Sequence, residues 1–518
     1  MKPSTSSFTS GLLAVAATAT ASPLGFAAIP KRQNTTQAIN TTFFDISASP
    51  ELNWIPCYKE NIQCTKLTVW LDYEDESAGT TDIAFARYLL SEDAEDLLFN
   101  PGGPGESGLN FVLSPTGEET AKKWGYNYVS FDPRGVQLSG PRLSCSPLAQ
   151  NQSSTLRRRQ DEGDLTTQWE QRAQINTDCN DANTNTNAKY VGTSAVVQDI
   201  MHFVELQAVA RGKAPEEATI NYYGVSYGTV IGQTLAAMYP DRIRRVLLDG
   251  NVYGEAYYQG WYSTSLDDLA YSIYTFAKLC FEAGTDWCAL AEGMSSPDDI
   301  QARFDAAVDK LRNDPLQDGE TTIDDNAFLK QVLQALYFPR TGNQGLNYST
   351  IAEGVLRVEN AGPSNSTTGV EQLKKRDEFP YKNDDEISII TAVDIAGRYP
   401  WTTMAGFGMD SFIPPKSQYF PGFEQINTSA PILFINTPAD PVTPRSAAYQ
   451  MSHLFEGSSV IIHNAPGHGY SNAPSACTDA LLATYFADGT VPETDTWCEP
   501  DVEANYYFGG PDPTESST

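Results

Sequence analysis

The feature that most constrains the fold is an alternation of short apolar runs with helical patterns along much of the chain. Runs that are apolar or β-branched predict strands, at residues 66–73, 81–90, 96–100, 126–131, 220–223, 245–248, 431–435 and 460–463. Apolar residues at helical spacing predict helices at 191–210, 229–238 and 445–455. Strands that alternate with helices predict an α/β fold with a mostly parallel central sheet flanked by helices.

One long segment, residues 255–428, interrupts this alternation. Helical stretches at 266–281, 299–311 and 325–337 dominate it, and its pattern contains no convincing strand. Because the strand pattern resumes afterwards, we expect a helical lid, or cap, inserted into one core. The expected boundaries are 45–254 for the first part of the core, 255–428 for the lid and 429–500 for the C-terminal part of the core.

The first 32 residues have the pattern of a signal peptide followed by a short pro-segment. Lys2 precedes a run of apolar and small residues over 11–21, and the basic pair Lys31-Arg32 follows. The run is shorter than the ~20 apolar residues that a membrane span needs, and no later run is long enough. The pattern predicts a secreted, extracellular protein from which residues 1–32 are removed.

Cysteines and glycosylation sequons both agree with export. The eight cysteines form an even set without a C-x-x-C pair, which argues against zinc and thioredoxin-type sites. Short loops favour disulfides between sequence neighbours, namely Cys57–Cys64, Cys145–Cys179, Cys280–Cys288 and Cys477–Cys498. The N-x-S/T sequons predict a glycoprotein, with glycans on Asn34, Asn40, Asn151, Asn347, Asn365 and Asn427.

The charge balance excludes some classes of partner. The chain has 34 basic and 65 acidic residues, and its formal net charge is −31. A chain this acidic is a poor partner for nucleic acid and for an anionic membrane surface. The four histidines lack metal-ligand spacing, so we expect no metal and no cofactor. The sequence leaves the oligomeric state open.

A G-x-S-x-G sequence, Gly224 to Gly228, lies between a predicted strand and a predicted helix. A sharp strand-to-helix turn exposes the serine hydroxyl, and the flanking glycines remove side chains that would clash. The N-terminus of the following helix favours developing negative charge. Ser226 is therefore the predicted nucleophile. The alternative is that the glycines only shape a turn and Ser226 caps the helix.

A serine nucleophile needs a base, and His468 has the best context among the four histidines. It lies in a glycine-flanked loop directly after the last predicted strand, where such sites gather. Asp440, in the proline-rich loop after the preceding strand, is the predicted orienting carboxylate, and its alternative role is to cap a turn. The chain order Ser226, Asp440, His468 is the order of the α/β-hydrolase fold.

Acyl transfer also needs hydrogen-bond donors for the oxyanion of its tetrahedral intermediate. The glycine-rich loop at residues 100–108 follows a predicted strand upstream of the serine, where one donor should come from. We assign the oxyanion hole to the backbone amides of Tyr227 and Gly103, with Gly102 as the alternative to Gly103. The loop could instead be an ordinary connection between a strand and a helix.

These residues make the chain resemble secreted α/β-hydrolases of the tripeptidyl aminopeptidase type, relatives of the proline iminopeptidases. The most specific match is a C-terminal module with Pro-Ala-Asp-Pro-Val-Thr-Pro, Pro-Gly-His-Gly and a final Trp-Cys. The other matching pieces are residues 100–108, 132–135, 224–228 and 246–250. The resemblance implies a serine peptidase that releases short peptides from a free N-terminus, with Ser226, Asp440 and His468 as its triad.

An aminopeptidase also needs an anion that holds the substrate ammonium. The candidate carboxylates are Glu106, Glu255, Asp267, Asp268 and Asp394, among which the sequence does not choose. We take Glu106 and Asp394 as the candidate substrate-binding residues. Glu106 stands where many relatives carry glycine, so this position could alter the pocket.

Two other functions remain compatible with the same scaffold. A carboxylesterase or lactonase would use the same triad on a small-molecule ester, and the substrate would then be an ester instead of a peptide. A buried acid near the acyl pocket would favour a peptide ammonium, whereas an all-apolar pocket would favour an ester. A non-catalytic binding protein is the third possibility, against which the complete triad argues.

Overall fold

The computed structural model describes residues 39–145, 174, 176–261, 263–318, 321–342, 345–361, 384–398 and 410–513. The predicted leader and the sequons at Asn34, Asn151 and Asn365 lie outside these ranges. The strands are β1 (Ile55–Pro56), β2 (Ile62–Trp70), β3 (Thr80–Tyr88), β4 (Asp96–Asn100), β5 (Asn127–Phe131), β6 (Ile220–Val225), β7 (Ile243–Asp249), β8 (Leu316–Asp318), β9 (Thr321–Ile323), β10 (Ile432–Asn436), β11 (Ser459–His463) and β12 (Thr496–Cys498).

The α-helices complete the element order. They are α1 (Leu109–Leu113), α2 (Pro115–Trp124), α3 (Thr193–Ala210), α4 (Tyr227–Met238), α5 (Gly254–Tyr258), α6 (Leu269–Ala283), α7 (Pro297–Asn313), α8 (Asp325–Tyr337), α9 (Tyr348–Asn360), α10 (Asp384–Arg398), α11 (Arg445–Ser452) and α12 (Ala476–Asp488). A 3-10 helix, Ala504–Phe508, follows near the C-terminus.

Ten of these strands form one sheet in the order β1-β2-β3-β5-β4-β6-β7-β10-β11-β12. The pairs β1–β2, β2–β3 and β3–β5 are antiparallel, and every other neighbouring pair in this sheet is parallel. Strands β10 and β11 are buried at every residue, which explains their nearly continuous apolar sequence. The predicted mostly parallel sheet flanked by helices is confirmed.

Helices cover both faces of the sheet. Apolar residues of α3, α4 and α11 pack on one face, with Ile200, Ile231 and Met451 fully or almost fully buried. Residues of α1, α2 and α12 pack on the other, including Val112 and Tyr485. Both faces of the parallel strands are therefore shielded from solvent, and functional groups are expected in the loops that follow the strands.

The inserted segment builds a hydrophobic core of its own from α6, α7, α8 and α9. Phe276, Leu311, Phe328 and Tyr348 are buried in it, together with aromatic residues of the C-terminal 3-10 helix. Helix α10 differs from the other inserted helices, since its apolar residues join the core of the sheet. The expectation that the insertion lacks strands was wrong, because β8 and β9 form an antiparallel hairpin. Each has only three residues, too few for a readable alternation.

Four disulfides, Cys57–Cys64, Cys145–Cys179, Cys280–Cys288 and Cys477–Cys498, join the cysteines in the predicted neighbour pairs. Asn40 and Asn427 are exposed. Asn347 is half-buried and caps α9, and its side-chain amide donates to the carbonyl of Arg340 at 3.2 Å. Within the described ranges, no helix combines the length and the apolar character needed to cross a bilayer.

Candidate active site

Ser226 occupies a strained turn between β6 and α4. Its backbone has φ 57° and ψ −125°, a conformation that a residue with a side chain rarely adopts. Its N–H donates to the carbonyl of Asp249 at 3.0 Å, which ties the turn to the end of β7. A Cβ on Gly228 would lie only 2.4 Å from the carbonyl oxygen of Asn100, so glycine is required there. The turn leaves the serine side chain partly exposed.

His468 lies in the loop after β11 and is held from two sides. Its Nδ1 is 2.8 Å from Oδ2 of Asp440, and its backbone N–H donates to the carbonyl of Tyr337 at 2.9 Å. The ring of Tyr337 packs edge-on against the imidazole, with centroids 5.2 Å apart. The other ring nitrogen, Nε2, is buried and has no hydrogen-bond partner among the described residues. It is therefore the nitrogen available to exchange a proton with a reacting group.

Asp440 is fully buried and its carboxylate accepts several hydrogen bonds. Oδ1 accepts from the backbone N–H groups of Val442, at 3.0 Å, and of Thr443, at 2.8 Å. The Thr443 hydroxyl donates to Oδ2 at 2.7 Å and also lies 3.0 Å from Nδ1 of His468. These donors fix the orientation of the carboxylate, which in turn can fix the tautomer of the imidazole.

The loops that carry Asp440 and His468 are joined directly. The N–H of Gly467 donates to the carbonyl of Ala439 at 3.1 Å, and Ala439 forms an isolated bridge with Pro466. The backbone at Gly250 packs against the imidazole, since a Cβ there would lie 3.0 Å from Cε1 of His468. Asp249, the neighbouring residue, bonds the Ser226 turn, so the structure brings all three predicted triad residues to one end of the sheet.

Nearby carboxylates control the titration of His468. Burial disfavours its protonated form, but the charge and hydrogen bond of Asp440, assisted by Asp249 and Glu106, outweigh burial and raise the pKa of His468 above 6.5. A histidine surrounded in this way is well prepared to carry the positive charge that it acquires as a general base.

The glycine-rich loop after β4 lies against the serine turn. A Cβ on Gly102 would lie 2.8 Å from Cβ of Ser226, so the two backbones are in close contact. The N–H of Gly102 donates to Oδ1 of Asn100 at 3.0 Å, whereas no described residue accepts from the N–H of Gly103. The N–H of Tyr227 likewise has no acceptor in the described part of the chain. This pattern favours Gly103 over Gly102 as an oxyanion donor.

Asp132 is hydrogen-bonded to the glycine-rich loop at residues 100–108. It is fully buried and accepts from the hydroxyl of Ser107 at 2.5 Å and from the N–H of Leu138 at 3.1 Å. Burial raises the pKa of Asp132 to about 6, although these donors partly offset the effect. The buried carboxylate therefore helps to hold the glycine-rich loop in place.

Among the candidate carboxylates, Glu106 lies beside the triad. Desolvation raises the pKa of Glu106, and the charge of His468 partly offsets the rise, although the residue itself is exposed to solvent. The charge of Glu106 in turn helps to raise the pKa of His468, so the two groups interact electrostatically. The carboxylate of Glu106 accepts no hydrogen bond from the described residues, which leaves it available to a substrate.

Asp394 has a different environment. Its oxygens accept from the N–H and the hydroxyl of Thr193, both at 2.6 Å, and from the hydroxyl of Tyr257 at 2.8 Å. Burial raises its pKa to about 6. Two donors at the start of α3 and one from α5 already occupy this carboxylate, and the structure does not bring it to the triad. Two of its partners contact Tyr227: the Thr193 hydroxyl lies 2.6 Å from the Tyr227 hydroxyl, and the Tyr257 ring packs against the Tyr227 ring with centroids 5.6 Å apart.

The remaining candidates also have protein partners or lie on the surface. Glu255 pairs with Arg398 at 3.4 Å. Asp268 accepts from the N–H of Arg445 at 3.0 Å, and Asp267 is exposed. Within the described residues, no cluster of three or more His, Cys, Asp or Glu side chains could hold a metal ion.

Three residues of the site were missed in the sequence: Tyr337, Thr443 and Asp249. Thr443 lies three residues after Asp440, a spacing that suits a local hydrogen bond and could have been read from the sequence. Asp249 directly follows the strand predicted at 245–248, which is also a detectable signal. Tyr337 has no such signal, because it lies in the insertion and meets His468 only through the tertiary fold.

Comparisons with known proteins agree with this architecture. Residues 97–267 match a family described as alpha/beta hydrolase fold, and residues 411–498 match a family described as TAP-like protein. Serine protease Hip1 of Mycobacterium tuberculosis is 25% identical over 502 residues, which cover 87% of this chain and 92% of the relative. Tripeptidyl aminopeptidase of Streptomyces lividans is 24% identical over 507 residues, which cover 88% of each chain.

The solved structure of a probable hydrolytic enzyme of Pseudomonas aeruginosa is 12% identical in sequence, with a TM-score of 0.35. The match covers 81% of this chain and 93% of that protein. The fold assignment rests instead on the strand order and on the two family matches. One matched segment contains the turn of Ser226, and the other contains the loops of Asp440 and His468. The chain belongs to the enzymes of the α/β-hydrolase fold and carries a TAP-like C-terminal segment.

Proposed function

We propose that the protein is a secreted serine peptidase that releases short peptides, of the tripeptidyl type, from free N-termini. Ser226 attacks the scissile carbonyl while Nε2 of His468 accepts its proton. Asp440 holds the imidazole and stabilises its positive charge. His468 then gives the proton to the leaving amine, and water hydrolyses the acyl-enzyme with the same histidine as base.

The observation that carries the catalytic part is the buried Asp440–His468 pair, with Nε2 left without a partner beside a strained serine turn. The geometry of the glycine-rich loop supports the rest of the mechanism. The N–H groups of Gly103 and Tyr227 have no acceptor among the described residues, as donors reserved for an oxyanion should. Stabilisation by one such donor is typically worth about 10²–10³ in kcat.

Glu106 supports a peptide substrate over an ester. Its carboxylate lies near His468 and accepts no hydrogen bond from the described residues, so an incoming ammonium could pair with it. A simple carboxylic ester carries no positive charge with which this carboxylate could pair. Relatives named serine protease and tripeptidyl aminopeptidase, aligned over 87% and 88% of the chain, point to the same substrate class.

Secretion is supported by the covalent structure. Four disulfides occur among the described residues, and disulfides persist in oxidising compartments. The leader pattern and the exposed sequon at Asn427 agree with the same route. Glycosylation at Asn347 would require its capping side chain to leave the backbone of α9.

The test compares a chromogenic tripeptide amide with a free N-terminus, the same amide with an acetylated N-terminus, and a p-nitrophenyl ester. We expect the free peptide to be cleaved and the acetylated one to resist. Glu106→Gln should raise KM for the free peptide about tenfold, because the variant loses the charge that pairs with the ammonium. Glu119→Gln, on the exposed surface of α2, is the matched control and should behave as wild type. Ester turnover without amide cleavage would overturn the peptidase assignment.

A further inference from the structure

A second buried carboxylate, Asp249, lies between the turn that carries Ser226 (residues 224–228, the serine turn) and the loop that carries His468 (residues 464–470, the histidine loop). It is the last residue of β7 and only 1% exposed. Its backbone carbonyl accepts from the N–H of Ser226 at 3.0 Å. Its carboxylate accepts from the N–H of Tyr470, at 3.1 Å and 3.3 Å to the two oxygens, and from the hydroxyl of Tyr223 at 3.1 Å. One residue therefore bonds both segments that must meet during catalysis.

The histidine loop packs tightly against this carboxylate. A Cβ on Gly469 would lie 3.3 Å from Oδ2 of Asp249, so the chain beside His468 passes directly over the acid. Gly250, the first residue after β7, packs closely against the imidazole, since a Cβ there would lie 3.3 Å from Nδ1 of His468. A shift of Asp249 would thus move the imidazole relative to the serine.

The charge of Asp249 also reaches the imidazole. The titratable groups that face it are His468 and Tyr470 of the histidine loop, Tyr223 of β6 and Asp440 of the loop after β10. Burial raises the pKa of Asp249 to about 7, partly offset by the charge of His468 and the two hydrogen bonds. Its ionisation therefore changes within the pH range where the enzyme would work.

We propose that Asp249 is a positioning residue that ties the Ser226 turn to the His468 loop and, when ionised, assists Asp440 in stabilising the imidazolium. This inference rests on the proposed roles of Ser226 and His468. Asp440 accepts directly from Nδ1, whereas Asp249 acts through the Tyr470 amide and through space. The two carboxylates therefore act on the imidazole from two places, the loop after β10 and the end of β7.

The test measures the rate at which a fluorophosphonate labels Ser226 between pH 5.5 and pH 9. In this reaction the serine oxygen bonds to phosphorus, fluoride leaves, and His468 takes the hydroxyl proton. The readout needs no knowledge of the natural substrate. The variants are Asp249→Asn, which keeps an acceptor for the Tyr470 amide but removes the charge, and Asp249→Ala, which removes both. Asp96→Asn is the control, because Asp96 begins β4, at the end of the parallel strands away from the triad, and is also hydrogen-bonded.

We expect Asp249→Asn to label at nearly the wild-type rate at pH 5.5 and about tenfold more slowly at pH 8.5, where the wild-type acid is ionised. Its acid limb should move about half a pH unit downward, since one negative charge near His468 is lost. Asp249→Ala should be slower than Asp249→Asn at every pH. Asp96→Asn should match wild type.

Two results would overturn the inference and each is distinct from failure of the proposed function. A wild-type rate for Asp249→Asn at all pH values would show that the acid does not act on His468. A deficit that is equal at every pH would show a merely structural role. If the wild-type protein itself is not labelled at Ser226, the proposed function fails, and the role of Asp249 fails with it.

Discussion

The close contact between Gly102 and the serine turn predicts that Gly102→Ala abolishes most of the activity without unfolding the protein. Gly102 has φ +108°, and a Cβ would lie 2.6 Å from the carbonyl oxygen of Val225 and 2.9 Å from the amide nitrogen of Tyr227. Ordinary contacts of carbon atoms begin at about 3.5 Å. All these neighbours belong to the turn that presents Ser226, so the loop must move away from it.

The magnitude follows from two separate effects. The unfavourable backbone conformation should cost about 1–3 kcal/mol of folding stability. Displacement of the loop should carry the Gly103 N–H away from the oxyanion, and loss of one such donor costs about 2.7–4 kcal/mol in the transition state, or about 10²–10³ in kcat. Activity should therefore fall much further than stability.

Gly79→Ala separates these effects. Gly79 has φ +92°, but its Cβ would meet only Cδ1 of Leu71, at 3.9 Å. This control should lose stability for the same backbone reason and keep its kcat. The assays are denaturant unfolding and kcat on a chromogenic tripeptide amide. A folded Gly102→Ala variant with kcat within about twofold of wild type would refute the assignment of this loop to the oxyanion.

Two further predictions concern ionisable groups. Activity should be full above the pKa of His468 and should fall as pH drops through it, because the protonated imidazole cannot act as a base. Asp440 outweighs the effect of burial and raises this pKa, so the acid limb of kcat/KM should lie above pH 6.5. An acid limb below pH 6 would contradict the geometry. Arg134 is fully buried and forms an ion pair with Asp199 at 2.7 Å. Asp199→Asn should therefore lower the free energy of unfolding, measured with denaturant, by about 3–5 kcal/mol, because it leaves the arginine without its counter-charge. A loss below about 1 kcal/mol would argue against that pairing.

Much of the sheet could be predicted because its strands are buried on both faces. Each apolar run read as a strand lies in the structure as one, including 431–435 and 460–463, which correspond to β10 and β11. Their short length and the turn residues that bound them favour strands over buried helix segments. The strands of this sheet that were missed, β1 and β12, have only two and three residues, too few for a readable pattern.

The insertion was harder to predict because its organisation depends on distant contacts. The expected core ends at residue 500, yet Tyr506, Tyr507 and Phe508 pack into the core of the inserted helices. Helix α10 was grouped with those helices by its position in the chain, but Ile389 and Val393 pack with the sheet core. No local pattern distinguishes these partners.

The site shows the same division between local and tertiary signals. Ser226 could be placed from the residues around it, because a strand-to-helix turn imposes glycines at fixed spacing. The candidate carboxylates could not be ranked, because Asp394 and Glu106 differ in tertiary hydrogen-bond partners that the local sequence does not show. Thr193, which donates hydrogen bonds to Asp394, is 201 residues away from it in the chain.

The most direct test of the proposed mechanism is the turnover of a free tripeptide amide by the wild-type protein and by Ser226→Ala, run side by side. The variant removes only the attacking oxygen, which lies on a partly exposed side chain, so its fold should be unchanged by circular dichroism. The mechanism predicts release of the intact tripeptide by wild type and no turnover above background by the variant. Equal turnover by a folded Ser226→Ala protein would contradict the nucleophile assignment and the acyl-enzyme with it.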